Sequence, residues 1–241
     1  MIAGLYDIFA HWHAKGSCWI ISDTHFDDAE LRQNKNRPNT EDYIRLINSK
    51  VGKNDTLIHL GDCGNLDAIR KIRGYKILIM GNHDQGRTNF LRRIETEKFD
   101  VDKYSREEVI SIMKEKYPNW NIHVSEKRHN LAQAPFEYYL GSADNCLFDE
   151  VYSGFLIIGE KLVLSHEPIE ISGMFNLHGH IHSLSHKNDK NHFNCFDYCA
   201  GFEPINFNQW MKSGYLSKIE TKHRETIKLA TKRKKERKNV R

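Results

Sequence analysis

The stretch Cys18–Phe26, CWIISDTHF, decides the fold. A short apolar run stops at a polar cluster, Ser22, Asp23 and His25. The same design recurs in TLIHLGD from Thr56 to Asp62, KILIMGN from Lys76 to Asn82, and KLVLSH from Lys161 to His166. Short runs rich in Ile, Leu and Val suit strands buried on both faces, and their polar ends suit delivery of side chains from the strand's carboxyl end into a loop. Between the first two runs, NTEDYIRLINSKV places Tyr43, Ile44, Ile47 and Val51 at helical spacing behind Thr40 as the cap. NLDAIRKIRGY reads as a second helix, ended by Gly74. Strand, helix, strand, helix, strand predicts an α/β layer with a parallel core, whose functional groups gather at the carboxyl edge of the sheet.

After His83 the pattern loosens. From about Thr88 to Leu147 the sequence offers one charged helix, SREEVISIMKEKY, then a polar stretch in which Trp120, Tyr138 and Tyr139 stand among Lys and His residues. Aromatics in basic surroundings can stack nucleobases; a small cover packed on the sheet is the better reading, an excursion without a core of its own. Short strands then resume in FLIIG and KLVLSH, joined by a GEK hairpin turn, and in MFNLHG and HFNCFDYC. The expected organisation is one domain over residues 1–215, interrupted by an insertion at about 88–147, and a basic tail at 216–241.

Of the 241 residues, 39% are hydrophobic and 28% charged, an ordinary composition for a globular protein with a sizeable core. No run of apolar residues is long enough to span a membrane, and the start MIAGLYDIFAHWHAKGS has no basic region followed by a long apolar stretch. The expectation is a cytoplasmic protein with no membrane partner. Five cysteines at scattered spacings suggest reduced thiols, and CFDYC lacks the second cysteine pair that a zinc clamp requires. The net charge of +4 hides an asymmetry: Leu216–Arg241 holds eleven Lys and Arg against three Glu, so the rest of the chain is net negative by four. Such a tail could attract nucleic acid, although like-charge blocks at a terminus are more often solvated and frayed.

The polar groups at the strand ends carry the chemistry. In order they are Asp23 with His25 (SDTHF), Asp62 (LGDCG), Asn82 with His83 and Asp84 (GNHD), His166 (LSHEP), and His180 with His182 (HGHIH). One strand-end Asp is commonly a helix cap, and one His is commonly a satisfied surface or core residue. Together and in this order they match DxH, GD, GNHD, a lone His and GHxH, and the chain thereby resembles the calcineurin-like metallophosphoesterase superfamily. The match spans Ile20 to His182 and resumes weakly around FDYCAGFEPINF; ISDTHF and NRP look more like the small prokaryotic and phage-borne members than like the protein phosphatases.

The resemblance implies a four-layer αββα sandwich of two mixed β-sheets flanked by helices. It also implies two divalent ions, with Mn expected first and Fe, Zn or Ni as alternatives. Asp23, His25 and His182 would hold one ion, Asn82, His166 and His180 the other, and Asp62 would bridge them. His83 and Asp84 would be the catalytic pair, His83 stabilising the transition state or protonating the leaving oxygen. The physical chemistry agrees: imidazole and carboxylate suit such ions, and two cations roughly 3.5–4 Å apart need an anionic bridge. The implied activity is hydrolysis of a phosphodiester, in a nucleotide, cyclic nucleotide or nucleic acid, by hydroxide generated between the ions. Phosphomonoester or phosphoprotein hydrolysis and a noncatalytic scaffold are the alternatives. Where the protein phosphatases carry GDxxDRG this chain has GDCGNLD, with Asn65 and Leu66 in place of the Asp and Arg, which lowers the phosphoprotein reading. Asn65, Arg37 and Arg87 are the expected substrate contacts. Of the five histidines in NLHGHIHSLSHKNDKNHF, His180 and His182 are the expected ligands, His178 sits beside them, and His186 and His192 read as surface residues.

Overall fold

The apolar runs form the strands expected of them. The computed structural model describes residues 4–31, 37–84, 93–118, 120–131, 134–145, 147–182, 190–198 and 202–239. Two compact units emerge, one from Met1–Arg87 with Asp149–Arg241, the other from Thr88–Phe148.

In the first unit, β1 (Cys18–Ile21), β2 (Thr56–His59), β3 (Tyr75–Ile79) and β7 (Glu150–Tyr152) pair in parallel. β12 (Ile205–Asn206) closes the other edge antiparallel to β1, giving the order β12-β1-β2-β3-β7. A second sheet runs β11-β10-β9-β8, from His192–Asn194, Phe175–His178, Leu162–Leu164 and Leu156–Gly159; only its β8–β9 hairpin is antiparallel. Both sheets are therefore mixed, as the fold class requires. Their apolar residues meet in one core: Ile20, Ile58 and Ile77 from the first, Leu162, Leu164, Phe175 and Leu177 from the second. Burying each such side chain contributes about 1.5–3 kcal/mol, so the sandwich is the main source of stability.

α1 (Thr40–Lys50) buries Tyr43, Ile44 and Ile47, the spacing read from the sequence. Its cap is Asn39, whose side chain accepts from the Asp42 amide; Thr40 instead lies inside the helix and its hydroxyl donates to Asp27. α2 (Leu66–Arg70) is capped by Asn65, whose Oδ1 accepts from the Asp67 amide at 2.9 Å. CFDY, read as strand, is the short helix α4 (Cys195–Tyr198) directly after β11. The Asn194 side chain explains the switch: its Oδ1 accepts from the Phe196 amide at 3.1 Å and turns the chain. α5 (Phe207–Met211) follows β12 and buries Phe207 and Trp210. Cys18, Cys63 and Cys195 are buried and reduced. The tail expected to fray is the 18-residue helix α6 (Lys222–Asn239).

The second unit corrects the reading of residues 88–147 as an excursion without a core. β4 (Arg93–Asp100), β5 (Asn121–Leu131) and β6 (Ala134–Asn145) make an antiparallel sheet in the order β4-β6-β5. α3 (Arg106–Lys116), set by a Ser105–Glu108 capping box, adds Val109 and Met113 to a small core with Val124 and Ala143. Trp120 and Tyr139 pack against that core, and Lys98 Nζ lies 5.2 Å from the centre of the Tyr138 ring. These aromatics are thus used in packing within their own unit.

Candidate metal centre

The loops leaving β1 and β2 run side by side and are joined through their backbones. The amides of Asp23, His25 and Phe26 donate to the carbonyls of Gly61, Asp62 and Cys63, and the Asn65 amide returns to Phe26 O. Asp23 (φ 53°), His25 (φ 36°) and Asp62 (φ 57°) adopt left-handed backbone, and so does His180 (φ 68°) on the loop after β10. Four of the six described non-glycine residues with positive φ are therefore expected ligands. Such conformations cost on the order of 1–3 kcal/mol each and persist only where the surroundings impose them. Here the paired loops impose them, and the strain aims the side chains inward.

The glycines of the motifs have a related cause. A Cβ on Gly81 would strike Asp62 Oδ1 and come within 2.7 Å of the Asp62 amide nitrogen. On Gly179 it would strike Ser22 Oγ and Asp23 Oδ2. GNHD and GHxH begin with glycine because a neighbouring strand's carboxylate occupies the space of a side chain.

Two groups of donors result, Asp23 with His25 and His182, and Asp62 with His166 and His180; within each, the donor atoms lie within 4.8 Å of one another. His182 Nε2 stands 3.1 Å from Asp23 Oδ1 and 3.3 Å from His25 Nε2. In the second group His166 Nε2 is 2.9 Å from Asn82 Oδ1 and 3.2 Å from His180 Nδ1, and Asn82 Oδ1 is 3.2 Å from His180 Nδ1. Asp62 Oδ2 lies between the groups, 3.5 Å from His25 Nε2 and 3.3 Å from His166 Nε2.

This donor set fits divalent ions. His166 Nδ1 donates to Leu60 O at 2.7 Å, so the lone pair of Nε2 points at Asn82 Oδ1 and Asp62 Oδ2, which are acceptors too. Acceptors converging on one point call for a positive charge between them. With no ion, a proton serves: burial lowers the basicity of His166, but the hydrogen bond to Asp62 and the charge of Asp23 outweigh it and raise its pKa. Burial likewise works against the Asp62 carboxylate, yet His166 and the His83 amide hold its pKa down to about 2. Asp23 is lowered for the same kind of reason, by His182 and Ser22 against its burial. Burial takes His25 down to about 4 despite Asp62, leaving it neutral and able to coordinate.

The remaining expected residues fall as follows. His83 is exposed, its amide donates to Asp62 Oδ1 at 2.9 Å, and its ring centre lies 5.2 Å from that of His25. Asp84 is fully buried and accepts from the amides of Gly81, Asp62 and Cys63. It ties the GD and GNHD loops together and faces away from solvent. Asn65 Nδ2 donates to Asp27 Oδ2 at 2.6 Å and its oxygen caps α2, so its amide is engaged away from His83. Arg37 donates to the carbonyls of Asp23 and Thr24 and lies 5.4 Å over the Phe202 ring, so it braces the first ligand loop. Arg87 and His186 lie outside the described residues. His178 is buried with Nδ1 2.8 Å from Gly179 O, and His192 Nε2 bonds Ile169 O.

Three supporting residues escaped the reading of the sequence. His59, fully buried on β2, bonds Thr24 Oγ1 through Nε2 at 2.8 Å, and Thr24 Oγ1 bonds Cys63 O. Burial lowers the His59 pKa to about 4 against the pull of Asp84, so the ring is neutral. Phe196 stacks on His182 at 4.9 Å and fixes that ring's plane. A histidine between Ile58 and Leu60 in an apolar run was the available signal for His59; Phe196 had none.

Two mixed sheets meeting at a paired-Asp, multi-His edge make a candidate metal centre. The chain belongs to the calcineurin-like phosphoesterases, whose family model matches residues 17–231. Members are metal-dependent hydrolases of phosphate esters. No curated protein matches the chain. Among solved structures, it is similar to the protein of unknown function AQ665 from Aquifex aeolicus, at 21% identity and a TM-score of 0.48, over 81% of this chain and 98% of that one. Among the described residues no helix is long and apolar enough to cross a membrane.

Proposed function

We propose that the chain hydrolyses a phosphodiester, of a nucleotide, cyclic nucleotide or nucleic acid, at two divalent ions, Mn before Fe, Zn or Ni. Asp23, His25 and His182 would hold one ion, Asn82, His166 and His180 the other, and Asp62 would serve both. The observation that carries this is the position of Asp62 Oδ2, within 3.5 Å of a histidine from each group. When bound, such an ion pair acidifies water and polarises the phosphoryl group.

The chain's own residues do the rest. His83, exposed beside His25, donates a proton to the departing alkoxide or a hydrogen bond to the developing charge. The hydrogen bond its backbone N–H donates to Asp62 Oδ1 fixes both the loop and that carboxylate. Asp84 acts through the backbone of Gly81, Asp62 and Cys63, a positioning role in place of the catalytic one first expected. The diester reading rests on charge: a diester carries one negative charge fewer than a monoester, and Arg37 is held by Asp23 O and Thr24 O instead of being available to clamp a dianion.

Turnover of bis(p-nitrophenyl) phosphate and p-nitrophenyl phosphate with Mn²⁺ tests the reading. The diester should be hydrolysed faster. Faster turnover of the monoester would overturn the diester preference, and no turnover of either by protein carrying two ions would overturn the enzyme reading.

A further inference from the structure

Among the described residues, helix α6 supplies no side chain to either donor group. From Lys222 to Asn239 it carries nine Lys and Arg against two Glu. Every described side chain from Thr226 to Glu236 is exposed, including Ile227 at 51% and Leu229 at 57%. A helix of this length in a globular protein is ordinarily held by a buried apolar face. This one has none: at 100° per residue Ile227 and Leu229 project nearly opposite one another.

The charges are not spread evenly. Arg224, Lys228, Lys232 and Lys235 share one face, within about 80° of the circumference and over about 16 Å of axis. Successive members stand four, four and three residues apart, the spacings at which like charges on a helix repel. The counter-charges are thin: Lys228 pairs with Glu220, Lys232 lies 4.0 Å from Glu236, and Glu225 is taken by Lys222. These exposed pairs exchange readily for another anion and weaken with salt. The helix therefore presents a row of repelling cations that a polyanion would relieve.

We propose that α6 docks on the phosphate backbone of double-stranded DNA. A single α-helix, roughly 10–12 Å across, enters the major groove of B-DNA, about 12 Å wide, whereas the major groove of duplex RNA is too narrow for its side chains. An anionic membrane is the poorer match, because an interfacial helix needs an apolar face opposite its basic one. The stripe is one Arg and three Lys with no Asn or Gln to read adenine, and phosphates meet those cations on any sequence, so the binding is carried by the backbone and is largely independent of sequence. This inference stands apart from the catalytic reading, since it holds whatever ester is cleaved.

The test is fluorescence anisotropy of two 24-base-pair DNA duplexes of unrelated sequence, titrated with the full chain in EDTA, which takes the metal centre out of the measurement. The comparison is with the Arg224→Gln, Lys228→Gln, Lys232→Gln, Lys235→Gln variant, whose folding is verified by circular dichroism and by wild-type metal binding. The native chain should bind both duplexes alike, with log K falling against log salt at a slope of about −3.6 if four phosphates are contacted. The variant should lose at least tenfold in affinity at about 50 mM salt and most of the slope. A variant that binds as the native chain does, absence of native binding at low salt, a tenfold preference between the duplexes, or tighter binding to vesicles of phosphatidylserine and phosphatidylcholine would each overturn the proposal.

Discussion

The metal edge and helix α6 use charge in opposite ways. At the edge, two aspartates and four histidines are drawn together on strained, glycine-flanked loops, and Asp23, His25, Asp62 and His166 are buried there. Along α6, the described cations stand in solvent on a regular backbone and meet exposed carboxylates such as Glu220 and Glu225. Strain and burial are needed where charges must meet at one point, because an unconstrained chain would hydrate them separately. A row of charges intended for an extended partner needs only a rigid rod. Substitutions at the edge should therefore change chemistry steeply, and substitutions on α6 should leave it alone.

The largest effect is expected from Asp62→Asn. It removes the one anion shared by both donor groups, and metal-dependent turnover should fall to background. Retained turnover would place the bridge elsewhere. His83→Asn should lower kcat by about 10² to 10⁴ while both ions still bind, the range of a lost general acid. A Gly179→Ala chain keeps every ligand but places a methyl group against Asp23 Oδ2. Its metal affinity should drop about 10- to 100-fold, the scale of disturbed outer-sphere support, and an unchanged affinity would show that the close approach is immaterial.

A smaller effect concerns stability and comes from His59. Its folded pKa, about 4, lies below the unfolded 6.5, so acid favours the unfolded chain. Its contribution is complete above pH 6.5 and is lost as pH falls from 6.5 to 4, on the order of 3 kcal/mol. Urea unfolding in EDTA should show His59→Gln declining less than the native chain across that window. Parallel declines would mean that His59 does not titrate on unfolding. The smallest effect is expected from neutralising the α6 stripe, which should leave turnover of bis(p-nitrophenyl) phosphate within about twofold, as for exposed charges outside the donor groups. A larger loss would join the two regions in one function.

The site was more legible than its supports. Asp23, Asp62 and Asn82 could be read because apolar strands end on them, and an apolar run closed by a polar residue survives as a pattern in one dimension. Asn65 and Arg37 could not be placed: both come off loops whose course depends on left-handed residues such as Asp23 and Asp27, and turn geometry of that kind leaves no periodic trace. β7 and β12, of three and two residues, are too short to show alternation. The second unit was underrated because its apolar residues are few and dispersed: Ile122 and Val124 alternate at the start of β5, but Glu126 and Arg128 continue the same face. Its core becomes visible only once Val109 and Met113 of α3 are brought to that sheet. The tail was read as fraying because repulsion along it is plain in sequence, while the backbone regularity of α6 is not.

Central to the account is the proposal that one carboxylate, Asp62, would join the two donor groups into a single dinuclear centre. Equilibrium dialysis of the native chain against Mn²⁺, followed by elemental analysis, measures this directly. Two ions per chain are expected; one ion or none at saturating Mn²⁺ would contradict it.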